Sequence, residues 1–150
     1  FKDQEKYLEA IASYQKAIEV KPDLPSAYCN LGSILKNEGR IDEAIASYQK
    51  AIEVKPDLAT AYIELGFILN DEGCVDEATA NFRNVIELNP GLVEAHVALI
   101  LLMKEKGKQL EAISLLKKVY QTNPSAVIKL SLVSRIASMG EDYAECIFED

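Results

Sequence analysis

Apolar residues recur along this chain at helical spacing, in pairs of stripes. In the stretch Ala27-Tyr28-Cys29-Asn30-Leu31-Gly32-Ser33-Ile34-Leu35 the apolar positions Tyr28, Leu31, Ile34 and Leu35 share one helix face. After Gly39 a second stripe follows, made of Ala44, Ile45, Tyr48, Ala51 and Ile52. The residues between and after the stripes punctuate them. Gly39 tolerates the left-handed conformation that ends a helix. Asp42 and Glu43 suit the start of the next helix and Lys55 its end, by charge against the helix dipole. Pro56 then stops it. The unit is helix, short turn, helix, and a short turn makes the two helices antiparallel neighbours.

The unit repeats with a step of 34 residues. Pro22, Pro56, Pro90 and Pro124 keep this step, as do Ala10, Ala44, Ala78 and Ala112. So do Gly39, Gly73 and Gly107, and Leu24, Leu58 and Leu92. A fixed period of this length marks a stacked array, in which a helix pair buries its apolar faces only against its neighbours. The boundaries are a partial repeat at 1–22, complete repeats at 23–56, 57–90 and 91–124, and a degenerate, shortened repeat at 125–150. The spacing predicts the second helix of the partial first copy from near residue 8. Pairs follow at 25–38 and 42–54, 59–72 and 76–88, 93–106 and 110–122, and 126–139 and 142–149.

Gly32 lies mid-helix, where it costs about 1 kcal/mol against alanine. Close helix approach is the expected compensation, with Ala44 and Ala51 as small residues on the facing helix. Residues 9–24 and 43–58 are the identical string EAIASYQKAIEVKPDL. A string used twice has a generic structural task, so the distinctive positions are in the first helix of each unit.

The recurring residues carry a family resemblance. Tyr28-x2-Leu31-Gly32-x2-Leu35 leads to Ala44-x3-Tyr48 and Pro56, and the next copy gives Tyr62-x2-Leu65-Gly66-x2-Leu69, Ala78-x3-Phe82 and Pro90. The third copy diverges, with His96-x2-Leu99-Ile100-x2-Met103, then Ala112-x3-Leu116 and Pro124. This resembles the tetratricopeptide repeat family over essentially the whole chain. The resemblance implies an all-α, right-handed α-solenoid of antiparallel helix pairs. It also implies that the first helices line a concave groove where partner segments lie.

Carried onto this sequence, the groove positions are Cys29, Asn30, Ser33 and Asn37 in the first complete copy. The second copy supplies Thr60, Ile63, Glu64, Phe67, Asn70 and Asp71. The third supplies Glu94, Val97, Ala98, Leu101 and Lys104. Ser26, Lys36 and Glu105 are neighbouring inner positions, and Ser131, Leu132 and Arg135 extend the set into the last repeat. Ile63, Phe67, Val97 and Leu101 form an expected apolar strip with an acidic rim of Glu64, Asp71, Glu94 and Glu105. Such a surface suits a peptide or protein segment that is apolar with basic flanks.

Two specialised forms of the resemblance fit less well. One subclass grips the C-terminal carboxylate of chaperones with Lys, Asn and Arg. The matching positions here are Cys29, Ser33, Glu64, Glu94 and Ala98, or Ile63, Phe67, Ala98, Ile128 and Leu132 one repeat later. Neither set offers a cationic fork. The arrays that precede O-linked N-acetylglucosamine transferase domains carry an inward asparagine ladder. Here Asn30 fits it, while Glu64 and Ala98 break it.

Composition narrows the field further. The chain has 150 residues, 49% of them hydrophobic, which is too apolar for a disordered segment. Its net charge is −8, so a nucleic-acid partner, which needs clustered Lys and Arg, is not expected. The apolar run Val97 to Met103 is too short to span a bilayer, and no membrane partner is expected. Cys29, Cys74 and Cys146 are widely separated and form no CxxC pair, which fits a reducing, cytoplasmic compartment and no zinc site. His96, the only histidine, stands where the earlier copies carry Tyr28 and Tyr62 and is read as a packing residue. No nucleophile–base pair or phosphate-binding glycine loop is present, so no catalytic, cofactor or metal residues are assigned.

The functional expectation is a non-catalytic protein–protein interaction scaffold. Two alternatives stay open. One is a partner-recognition segment of a larger enzyme, such as a glycosyltransferase, sulfotransferase or methyltransferase. The other is a structural module that self-associates through uncapped ends. The chain begins at Phe1, part-way through a repeat, and reads as a fragment.

Overall fold

The computed structural model describes residues 2–122. Among them are seven α-helices and no strand: α1 (Lys2–Val20), α2 (Pro25–Asn37), α3 (Ile41–Val54), α4 (Ala59–Asp71), α5 (Val75–Leu88), α6 (Val93–Glu105) and α7 (Gln109–Thr122). The expected last pair, at 126–139 and 142–149, lies outside the described residues, as do Cys146 and the positions named in the last repeat. The chain divides into two compact units between Asn84 and Val85, within α5.

The bounds of α2 to α7 fall within one residue of those read from the pattern. The three periodic glycines explain much of this agreement. Gly39, Gly73 and Gly107 have φ of 73°, 81° and 70°, the left-handed region that glycine enters without a side-chain clash. Each closes the same motif. The Arg40 N–H donates to the Leu35 carbonyl at 2.9 Å and the Gly39 N–H to that of Lys36 at 3.0 Å. Cys74 and Gly73 donate in the same way to Leu69 and Asn70, and Lys108 and Gly107 to Met103 and Lys104. This is the Schellman arrangement, which satisfies two carbonyls that the helix end leaves open.

One expectation fails. α1 starts at Lys2, not near residue 8. In the later copies a glycine precedes the second helix and turns the chain, at 39, 73 and 107. The corresponding position here is Glu5, a good helix former. With no stop signal, the helix runs on towards the N-terminus.

In the first unit α2 packs on both α1 and α3, and α3 packs on α4. Its core includes Leu31 and Leu35 of α2, Ala44, Tyr48 and Ala51 of α3, and Leu65, Ile68 and Leu69 of α4. The mid-helix glycines admit something other than the expected alanines. A methyl group at Gly32 would lie 2.9 Å from Tyr48 Cε2, and one at Gly66 would lie 2.8 Å from Phe82 Cε1. Each aromatic ring packs against the preceding helix at that glycine, and each is only 1% exposed. Burial of a ring offsets the helix-propensity cost of glycine. Ala44 and Ala51 are fully buried, but they are not the groups that require Gly32.

In the second unit α6 packs on α7. Ala95, Leu99 and Leu102 of α6 are buried, as is Ala112 of α7. His96 is buried as well, and its Nε2–H donates to the Pro90 carbonyl at 2.9 Å. That bond ties α6 to the turn before it, in keeping with a packing role.

Candidate functional site

The outward face of α2 is polar. Ser26, Asn30, Ser33 and Asn37 are exposed at helical spacing, and Cys29 is half-buried beside them. On α4, Thr60, Phe67 and Asp71 are exposed, while Glu64 and Asn70 are half-buried. Lys36 of α2 reaches Glu64 of α4, with Nζ 2.8 Å from Oε2. The first helices of two successive repeats therefore lie within side-chain reach. About a third of each partner remains exposed, so the pair orients side chains more than it stabilises the unit.

Tyr48 joins this face from behind. Ser33, Glu64 and Cys29 lie near enough to its phenol to act on its charge. Burial, then Glu64, then Cys29 raise the Tyr48 pKa to about 12, and the neighbouring Ser33 hydroxyl lowers it in part. The Cys29 thiol is pushed up by burial first and by Glu64 second, which keeps it protonated and unreactive. Sequence periodicity had placed Tyr48 in the core alone. The signal for its second role was the contrast with Phe82, which occupies the same repeat position without a hydroxyl.

The next repeat answers that contrast. Phe67 stands where Ser33 stood, and it packs edge-on against Phe82, with ring centroids 5.3 Å apart and planes inclined at 65°. Phe67 is still 38% exposed. A Ser33–Tyr48 neighbour pair in one copy thus becomes an aromatic pair in the next, and the surface changes from polar to apolar. Edge-to-face pairs contribute about 0.5–1.5 kcal/mol beyond area burial, so the contact with Phe82 helps to fix the Phe67 ring.

Two expected lining residues are not exposed. Ile63 and Ala98 are each only 5% exposed. Helical spacing identifies the face of a residue but not its depth, and an apolar side chain is favoured where it loses most contact with water. The exposed apolar surface of the first unit is therefore reduced to Phe67 at this face. In the second unit α6 exposes Glu94 and leaves Val97, Leu101 and Lys104 half-buried.

Among the described residues no three His, Cys, Asp or Glu side chains cluster closely enough to hold a metal ion. No helix among them is long and apolar enough to cross a membrane.

Residues 1–39 and 32–73 match the TPR repeat model, TPR being the tetratricopeptide repeat. Over residues 1–73 the chain is built of tetratricopeptide repeats. No curated protein matches it. Among solved structures, a crystal structure of MamA is similar at 28% identity and a TM-score of 0.71, over 81% of this chain and 71% of that one. A second MamA structure gives 26% identity and a TM-score of 0.72, over 86% and 70%. The first TPR of Spaghetti (RPAP3), bound to the HSP90 peptide SRMEEVD, is similar at 25% identity and a TM-score of 0.63, over 70% and 83%. With these neighbours, the fold is an all-α helical-repeat solenoid, and tetratricopeptide repeats of this kind serve protein interaction.

Proposed function

We propose that this tetratricopeptide protein is a non-catalytic scaffold that binds a protein segment on the exposed faces of its first helices. The observation that carries the reading is the exchange at one repeat position, from Ser33 against Tyr48 to Phe67 against Phe82. A preset, part-exposed aromatic ring bordered by polar groups is the usual form of an interface anchor. In the second unit, Val97 and Leu101 occupy the repeat positions of Ile63 and Phe67 and stay half-exposed.

The partner segment is apolar with basic flanks. Asp71 and Glu94 are exposed on these helices, and the whole chain carries a charge of −8. Lys or Arg beside an apolar anchor residue gains from that field. A protein in the neighbouring RPAP3 structure binds a peptide through its repeat, which supports a peptide ligand here without supplying its sequence.

Selection of a random peptide library displayed on phage against the full chain tests the reading. The expected result is enrichment of apolar segments flanked by Lys or Arg, with the enriched peptides failing to bind Phe67→Glu. Enrichment of acidic peptides, or of peptides indifferent to Phe67→Glu, contradicts it.

A further inference from the structure

An ion pair joins the two first helices of the first unit, and it is placed unevenly about Phe67. On α4, Glu64, Phe67 and Asp71 are three and four residues apart, so they share one face. Glu64 stands one turn before the ring and Asp71 one turn after it. The two carboxylates are spaced by roughly 10 Å along the helix, at about 1.5 Å per residue. By spacing alone, α4 offers a negative charge on each side of an apolar anchor.

The structure makes the two carboxylates unequal. Glu64 is already paired, with Lys36 Nζ of α2 2.8 Å from its Oε2. Asp71 is exposed and makes no ion pair with any described residue. It also ends α4, where the helix dipole is negative and a cation is favoured. α2 carries Lys36 in its last turn and α6 carries Lys104, but the last turn of α4 holds no basic residue. The carboxylate after the ring therefore keeps its full charge, while Lys36 largely cancels the one before it.

We infer that the partner segment is read by charge on one side only. Its apolar anchor meets Phe67, one Lys or Arg beside that anchor pairs with Asp71, and no second base is called for at Glu64. This rests on the partner-binding reading above and adds a direction to it. Two free carboxylates would accept a segment with a single base in either orientation. By holding Glu64, Lys36 disfavours the reversed one, so it sets specificity without touching the partner.

The test is phage selection from a random peptide library against the full natural chain, Lys36→Gln, Asp71→Asn and Asp71→Lys. The readout is the charge pattern around the apolar residue of the enriched peptides. The three substitutions alter part-exposed or exposed side chains, where an ion pair adds little to stability, and circular dichroism checks each fold. In the natural chain the base is expected on the same side of the apolar residue throughout the enriched set. Lys36→Gln is expected to enrich bases on both sides, because Glu64 is then unpaired. Asp71→Asn is expected to lose the one-sided base, and Asp71→Lys to replace it with Asp or Glu. For one selected peptide, exchanging its base for Gln should weaken binding to the natural chain about threefold, the scale of an exposed ion pair. The same exchange should leave binding to Asp71→Asn unchanged, since the pair is then already broken.

Peptides that need Phe67 but carry bases on either side in the natural chain overturn the inference and leave the partner-binding reading standing. So does a one-sided pattern that Asp71→Asn leaves intact, or one that Lys36→Gln fails to widen. Absence of any peptide that depends on Phe67 overturns both.

Discussion

Single atoms decide how the helices of one repeat meet. Gly32 is replaceable by alanine as far as helix propensity goes, with a gain of about 1 kcal/mol. The Tyr48 ring reverses that sign, because the new methyl group and Cε2 would sit at 2.9 Å and the ring is buried. Gly32→Ala is therefore expected to destabilise the protein by about 1–3 kcal/mol, the usual cost of overpacking. Tyr48→Leu in the same chain should recover part of the loss. Urea denaturation of the two single variants and the double variant measures both effects.

The Tyr48 hydroxyl makes stability depend on pH at the alkaline end. Its pKa is about 12 in the fold against 10.0 for the free side chain. A raised pKa means that the folded state holds the proton more tightly. The stabilisation is complete below about pH 10 and is lost as pH rises through about 12, by an amount on the order of 2 kcal/mol. Tyr48→Phe removes this contribution. Comparing denaturation midpoints of the two proteins from about pH 9 upwards should show the natural chain losing stability faster. Parallel curves would mean that the hydroxyl is not held as described.

Helix ends are written in a few residues, and that is why the elements were legible. The bounds of α2 to α7 follow the periodic glycines and prolines to within one residue. Gly73 has φ of 81°, and a side chain there would meet nothing within 4 Å. Its cost on substitution is conformational only. Gly73→Ala should lose about 1 kcal/mol and Gly73→Asn less, since asparagine visits the left-handed region more readily. Thermal unfolding of the pair tests this order. Where the punctuation was missing the reading failed: Glu5 replaces the glycine, and α1 extends to Lys2. Depth was illegible for a different reason. Period reports the direction of Ile63 and Ala98, while their burial depends on what stands opposite, which no single helix encodes.

For the whole molecule, the fold class was readable because every unit obeys the same rule, and the candidate surface was readable only in part. The exposed polar positions Asn30, Ser33, Asn37 and Thr60 were recognised from the repeat, as was Phe67. The Lys36–Glu64 pair, and the nearness of Glu64 to Tyr48 and Cys29, depend on distances between helices and could not be read from spacing. Charge acts at this scale. With a net charge of −8 and Asp71 and Glu94 exposed, the chain should repel an acidic peptide. The peptide SRMEEVD, bound by the RPAP3 repeat, is expected to show no binding to this chain by isothermal titration calorimetry at physiological salt.

Phe67, preset against Phe82, is the proposed anchor for a partner segment. The most direct measurement is the affinity of a phage-selected peptide for the natural chain and for Phe67→Glu, with thermal unfolding recorded for both. A buried interface anchor typically contributes 2 kcal/mol or more. A loss of at least about thirtyfold in affinity is expected from a chain that stays folded, its unfolding temperature lowered by only the few degrees that losing the Phe82 contact implies. Equal affinity for the two chains would contradict it.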